Sequence, residues 1–200
     1  VVNVGILHPG EAGIRLAKDI KSTGHRVMWA SEGRSAGTRG RAEGAELEDI
    51  GTVGDMAEAA DVIISLCAAS GVVGDDVAYP VAEQVASTGF KGVFADFNDL
   101  SSGAGWEVGL KEFVESSGMA YVEGSIFGYP NKYPDDSLES FTKHDPRNWH
   151  LLMSGEQVQP VAALFSGVGC IPAIVSGIGP KARRRELYKA MDEWRNNGIH

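Results

Sequence analysis

Short apolar runs alternate with amphipathic stretches along the chain, the pattern of β-α-β units wound around a mainly parallel sheet. Val1–Leu7 is compact and apolar, which predicts a strand. In Ala12–Thr23, residues Ile14, Leu16, Ala17 and Ile20 form one stripe, so a helix is expected there, ended by Gly24. Arg26–Ala30 reads as the second strand, Arg34–Gly44 as a helix of small residues and Asp49–Val53 as a short edge element. Asp55–Ala60 predicts a brief helix running into Asp61–Cys67 (DVIISLC), a central buried strand.

The alternation continues with a helix over Val77–Thr88, a strand at Gly92–Asp96, a Ser-capped helix near Ser102–Ser117 and a strand at Ala120–Glu123. Ser125–Asn148 then breaks the pattern with three prolines, and it exceeds the usual length of a connection. It is either a lid over the ligand edge of the sheet or an irregular excursion. Tyr129, Lys132, Tyr133 and His144 within it either cover a ligand or decorate the surface. Order resumes at Trp149–Ser154, with a helix at Gln157–Phe165 and a last strand at Ile171–Val175. Gly177–Pro180 interrupts the chain, and Lys181–Asn197 predicts one amphipathic helix. The fold class is therefore α/β: a Rossmann-type sheet with helices on both faces over residues 1–179, then a C-terminal helix over 180–200.

The first strand runs into Gly5-Ile6-Leu7-His8-Pro9-Gly10-Glu11-Ala12-Gly13. In a Gly-x-Gly-x-x-Gly phosphate loop the first glycine makes the turn and the second admits the pyrophosphate. The third lets helix and strand pack closely, and the helix N-terminus faces the anion. Gly10 and Gly13 fill the second and third positions, but His8 stands at the first. Its imidazole either lines the cleft or serves as a general acid/base or phosphate contact at the strand end. The loop residues His8, Pro9, Gly10, Glu11, Ala12 and Gly13 are all expected to bind the cofactor. After the second strand comes Ser31-Glu32-Gly33-Arg34-Ser35. Ser31 holds the strand-end position, while Arg34 and Ser35 suit a 2′-phosphate; Glu32 pulls the other way. NADP is the expected cofactor, ahead of NAD.

Asn98 in Asp96-Phe97-Asn98-Asp99 and the nearby Ser101 are cleft candidates, with helix capping by Asp99, Ser101 or Ser102 the competing reading. Cys67, ending the DVIISLC strand, is a further cofactor contact. Glu11 and Glu123 border the same edge.

Composition narrows the partners. A formal net charge of −9 argues against nucleic acid or a membrane surface, and the Lys181–Arg185 run reads as a solvated helix face. No apolar run reaches membrane-spanning length, and no targeting segment is expected. Cys67 and Cys170 sit in apolar strand-like contexts, so free thiols and a cytoplasmic location are expected. No metal-ligand spacing, Gly-x-Ser-x-Gly elbow or Cys/His nucleophile arrangement is evident.

Six segments (VGILHPGEAG, GHRVMWASEGRS, ADVIISLC, VFADFNDLS, LLMSGEQ with its following Leu-Phe, and the terminal strand into GIG) together resemble the β-hydroxyacid dehydrogenase/6-phosphogluconate dehydrogenase superfamily. The resemblance implies an NAD(P)-binding domain followed by an all-helical domain, in a dimer. It also implies hydride transfer between nicotinamide and a hydroxy acid or imine. The departures are specific. The family's Asp-x-Pro-Val-Ser-Gly-Gly segment aligns with Glu123-Gly124-Ser125-Ile126-Phe127-Gly128-Tyr129, which puts Phe127 at the substrate-binding serine. The family's lysine and asparagine after Gly-x-Gly align with Arg183 and Leu187. Arginine does not release its proton near neutral pH and does not replace a catalytic lysine. Lys181 comes two residues early and Lys189 six late, neither in Arg183's direction on a helix. Lys181 is the catalytic candidate that remains beside His8 and Asn98.

The helical domain is expected to be reduced to Lys181–His200, whose stripe of Leu187, Met191 and Trp194, with Tyr188 beside it, packs either on its own domain or on a second subunit. The second option makes a homodimer with a small-molecule substrate the expected assembly. Three functions stay open: an NAD(P)H-dependent oxidoreductase on a small carbonyl, hydroxy acid or imine; a non-redox isomerase, lyase or cyclase; and a non-catalytic cofactor-binding subunit.

Overall fold

The computed structural model describes residues 1–67, 75–98, 106–127, 149–165, 170–176, 179–180, 182–183 and 186. Strands β1 (Asn3–Leu7), β2 (Arg26–Trp29), β3 (Glu48–Asp49), β4 (Val62–Ser65), β5 (Val93–Asp96), β6 (Ala120–Phe127), β7 (Trp149–Ser154) and β8 (Cys170–Ile174) form one sheet. Its order is β3-β2-β1-β4-β5-β6-β7-β8. All pairings are parallel except β6 with β7.

The central parallel strands β1, β2, β4 and β5 are buried on both sides, because helices cover both faces. Helices α1 (Glu11–Ser22), α2 (Ala36–Gly44) and α6 (Val158–Ala163) pack with Val4, Ile6, Trp29, Ile64 and Met153 in one core layer. Helices α3 (Val53–Ala59), α4 (Asp75–Ser87) and α5 (Trp106–Ser116) pack with Leu7, Met28, Ile63 and Phe94 in the other. Successive strand residues thus feed opposite cores, as the period of two demands. No helix of the described residues is long and apolar enough to cross a membrane.

Several boundaries differ by a residue or more from those the sequence pattern predicts, and three of the differences have a clear local cause. The second helix starts at Ala36, not Arg34, because the Ser35 side chain accepts from the Thr38 N–H and caps it. The expected edge element at Asp49–Val53 is a two-residue strand, Glu48–Asp49. Thr52 and Asp55 form a reciprocal capping box that turns Val53 into the first residue of α3. The sixth strand continues past Glu123 to Phe127, since beyond its parallel partner β5 it pairs antiparallel with β7, from Glu123↔Ser154 to Phe127↔His150. The remainder of the proline-rich segment, including Tyr129, Lys132, Tyr133 and His144, lies outside the described residues, as do Ser101, Lys181, Leu187, Tyr188, Lys189, Met191 and Trp194.

The order places β1 beside β4 with crossovers leaving in opposite directions, so the crevice of this doubly wound sheet opens between their C-terminal ends. One register row lines up Leu7, Ser65, Asp96 and Glu123 at that edge. His8, Cys67 and Asn98 follow directly.

Candidate functional site

The loop after β1 turns through His8, whose φ is +58°, in the left-handed region that a glycine enters freely. The Gly10 N–H closes the turn on the His8 carbonyl at 2.6 Å, and α1 begins at once. Gly10 is the N-cap and no side chain caps the helix, so its first turn presents main-chain N–H groups to the crevice. A Cβ built at Gly13 would touch the His8 carbonyl oxygen at 3.4 Å and Ile6 Cγ2 at 3.6 Å, the close approach of helix and strand that the third glycine provides. His8 therefore keeps the conformation of the first glycine while adding a side chain to it. Glu11 is exposed on the first turn, Pro9 is buried, and Ala12 is half-buried.

That side chain meets Cys67. The two residues are 59 positions apart, and Cys67 Sγ lies 3.0 Å from His8 Nδ1. Spacing along the chain does not announce a Cys/His arrangement; the adjacency of β1 and β4 creates one. It is a neutral pair. Burial, with Arg34 adding to it, pushes the imidazole down to about 4, and burial pushes the thiol up to about 11. An imidazolium–thiolate pair would need the reverse shifts, so Cys67 is not an activated nucleophile.

Behind the pair is a buried polar network at the ends of β4 and β5. Asn98 is 2% exposed and accepts from the Cys67 N–H at 2.6 Å. Its amide donates to Ser65 Oγ at 2.8 Å and to Asp96 Oδ1 at 2.6 Å. Asp96 also accepts from the Asn98 N–H at 3.1 Å and the Tyr121 hydroxyl at 3.4 Å. Both amide protons of Asn98 are thus used inside the protein, and the side chain fixes the strand ends in place.

The third component comes from the turn after β2. The Arg34 N–H bonds the Ser31 carbonyl at 3.1 Å, with Gly33 at φ +68° making the turn tight. This brings the Arg34 guanidinium into the electrostatic range of both His8 and Cys67. Its Nε is buried and has no hydrogen-bond partner among the described residues. Desolvation lowers the pKa of Arg34 from its ordinary value. A buried donor without a partner is costly, and an anionic oxygen is what would satisfy it.

The Ser35 hydroxyl is engaged with the Thr38 N–H and hydroxyl. Ser31 hydrogen-bonds Asp49, whose carboxylate also takes the Gly51 N–H and lies 3.5 Å from Arg39. Glu32 is exposed, its N–H held by the Gly51 carbonyl at 3.0 Å.

Two arginines that sequence reading passed over complete this side. Arg41 donates its Nε–H to the Pro9 carbonyl at 3.3 Å and its Nη2–H to Thr38 Oγ1 at 3.1 Å. Arg39 stacks over the Trp29 ring at 5.9 Å. The spacing of Thr38 and Arg41, three apart on one helix face, was the available signal. At the far side of the crevice, the Gly179 backbone lies against β6: a Cβ there would sit 2.7 Å from Glu123 Oε2. Arg183 is ion-paired with Glu186 at 3.1 Å.

No family model matches the chain, and no curated protein matches its sequence. Solved structures do match its fold. An imine reductase variant from Myxococcus stipitatus, in complex with NAD+, superimposes with a TM-score of 0.71 at 14% identity, over 100% of this chain and 64% of that one. The 3-hydroxyisobutyrate dehydrogenase of Mycobacterium tuberculosis gives 0.64 at 14% identity, over 100% of this chain and 67% of the enzyme. A conserved protein of unknown function with structural similarity to 3-hydroxyacid dehydrogenases gives 0.62 at 19% identity, over 99% and 72%. The chain thus spans about two thirds of the length of these proteins and shares their Rossmann-type fold.

Proposed function

We propose that the chain is the dinucleotide-binding part of an NAD(P)H-dependent oxidoreductase acting on a small carbonyl, hydroxy acid or imine. The carrying observation is the buried Nε of Arg34, without a hydrogen-bond partner among the described residues, beside a helix N-terminus that has no side-chain cap among them, at the crevice of the sheet. Both features fit a phosphorylated dinucleotide. The α1 N–H groups suit its pyrophosphate, and Arg34 with Ser35 suits a 2′-phosphate, which favours NADP over NAD. Imine reductases and a reductive aminase of this fold have been solved with NADP+ and NADPH4, and one with NAD+, so the neighbours support the class of cofactor rather than the choice.

In this reading Pro9, Gly10, Glu11, Ala12 and Gly13 form the phosphate cradle, while Ser31 and Cys67 line the adenosine and central parts of the crevice. The nicotinamide supplies the hydride when bound. His8 presents a neutral imidazole to the crevice, and Asn98 acts by holding the strand ends rather than by touching reacting atoms. Lys181 remains a catalytic candidate on sequence grounds alone. In the same reading residues 1–179 are the dinucleotide-binding unit, and the helix that the sequence pattern predicts over 180–200, most of it outside the described residues, is what would pair two subunits in a homodimer. The two free cysteines support a cytoplasmic location.

The second reading, a non-redox enzyme or a cofactor-binding subunit, is favoured by Arg183, which is committed to Glu186 where the family has its lysine. Titration with NADPH and NADH, followed by fluorescence and thermal stabilisation, separates these readings. Tighter NADPH binding with turnover on a carbonyl or imine panel supports the oxidoreductase. Binding without turnover supports the second reading, and absence of binding removes both dinucleotide assignments.

A further inference from the structure

The position of a phosphate-loop glycine is occupied here by a histidine that takes on the glycine's left-handed conformation. That conformation is strained for a residue that carries a Cβ. The one side-chain hydrogen bond His8 makes among the described residues is to Cys67.

The hydrogen bonds behind Cys67 have a direction. Asn98 donates one amide proton to Asp96 and the other to Ser65 Oγ. Ser65, with its oxygen accepting from Asn98, keeps its own hydroxyl proton to give, and the Cys67 sulfur two residues on is the acceptor we assign to it. The Cys67 N–H to Asn98 Oδ1 bond, 2.6 Å long, fixes the sulfur's position from the main chain. A sulfur that accepts from Ser65 has its S–H left to give, and the acceptor in reach is His8 Nδ1 at 3.0 Å. An imidazole that accepts at Nδ1 carries its proton on Nε2, the edge of the ring away from the sulfur.

We propose that Cys67 is a positioning residue for His8: its thiol, oriented by Ser65 and Asn98, locks the imidazole as the neutral Nε2–H tautomer, which donates to a pyrophosphate oxygen of the bound dinucleotide. The last step rests on the cofactor reading above; the tautomer does not. Burial that keeps His8 unprotonated and Cys67 protonated across the neutral range supports the arrangement. The groups facing His8 electrostatically are Cys67 at the end of β4 and Arg34 after β2. His8 would thereby replace the space a glycine leaves for the pyrophosphate with a fixed donor.

The test is long-range ¹H–¹⁵N NMR of the imidazole in the full chain at neutral pH, for the wild type, Cys67→Ala and Cys67→Ser, each followed by NADPH titration. The Nε2–H tautomer is expected in the wild type. It should be retained in Cys67→Ser, whose hydroxyl also donates, and replaced by a tautomer mixture in Cys67→Ala. NADPH affinity should fall about 5- to 10-fold in Cys67→Ala and recover in Cys67→Ser. An Nδ1–H tautomer in the wild type, or a Cys67→Ala spectrum identical to it, overturns the proposal. If the Cys67-dependent tautomer is present but no form binds NADPH, the positioning of His8 is supported and the dinucleotide reading, with its pyrophosphate acceptor, is overturned.

Discussion

Arg41, on the first helix after β2, donates its Nε–H to the carbonyl of Pro9 in the loop after β1, at 3.3 Å. The bond joins two segments that a Rossmann crevice uses for different ends of a dinucleotide. It ties the loop after β1 to the position of α2. Replacing Arg41 by Ala removes this part-buried bond and the exposed one to Thr38, so stability should fall by no more than about 1 kcal/mol. The loop loses its brace, and NADPH affinity should fall roughly 5-fold. Calorimetric titration beside a thermal melt distinguishes this from general unfolding: the expected result is a weakened titration with an almost unchanged melt.

Arg34 should respond with opposite signs in the two assays. Its buried Nε has no partner among the described residues, so the free protein carries a desolvation cost that a ligand would relieve. Arg34→Met keeps the length of the side chain and removes the charge. The free protein is expected to melt at the same temperature or higher, by an amount worth up to about 1 kcal/mol, while NADPH affinity drops by about tenfold or more. NADH affinity should drop less, since it lacks the 2′-phosphate. A substitution that destabilises the free protein and leaves NADPH binding intact would remove Arg34 from the site.

The neutral His8–Cys67 pair sets a pH window. His8 falls from 6.5 in the unfolded chain to about 4 in the fold, so the folded state binds fewer protons between these values. Its contribution is complete above 6.5 and is lost as pH falls toward 4. Cys67 rises from 9.0 to about 11, so its contribution is complete below 9 and is lost as pH climbs through that interval. Urea denaturation at pH 7 and pH 4.5 should differ by on the order of 2 kcal/mol more in the wild type than in His8→Gln, after allowing for solvent screening at a half-buried site. Alkylation of Cys67 should likewise stay slow until about pH 10, although the residue is not fully buried.

The sheet, its helices and the crevice were legible because each rests on local periodicity. Val4, Ile6 and the Leu16–Ile20 stripe announce their elements without knowledge of the rest of the chain. The pair of His8 with Cys67 was not legible, since it depends on β1 and β4 becoming neighbours, a fact of topology across 59 residues. The same holds for Arg41 and Pro9. Asn98 was readable as an edge residue but not as an internal one: only the register that aligns Ser65 with Asp96 shows that both of its amide protons stay inside the protein. The extension of β6 to Phe127 was hidden for the same reason, because the partner that orders it, β7, lies beyond an irregular stretch.

The same substitution should have opposite effects at two glycines. Gly40 lies inside α2, exposed, with nothing within 4 Å of where a Cβ would stand. Gly40→Ala therefore removes backbone freedom from the unfolded chain without a clash and should stabilise by about 0.5–1 kcal/mol. At Gly124, in β6, a Cβ would lie 2.5 Å from Phe97 Cε1 and 2.6 Å from its Cδ1. Phe97 is 2% exposed, so its ring moves only by disturbing the packing around it. Gly124→Ala should destabilise by about 1–3 kcal/mol. The displaced ring is also the residue before Asn98, so its movement passes to the amide that holds Ser65 and Cys67. Gly124→Ala should for that reason disturb the His8 imidazole resonances as well as the melting temperature, whereas Gly40→Ala should alter the melt alone. A Gly124→Ala protein that is less stable yet shows unchanged His8 resonances would separate the packing of β6 from the polar network at the crevice.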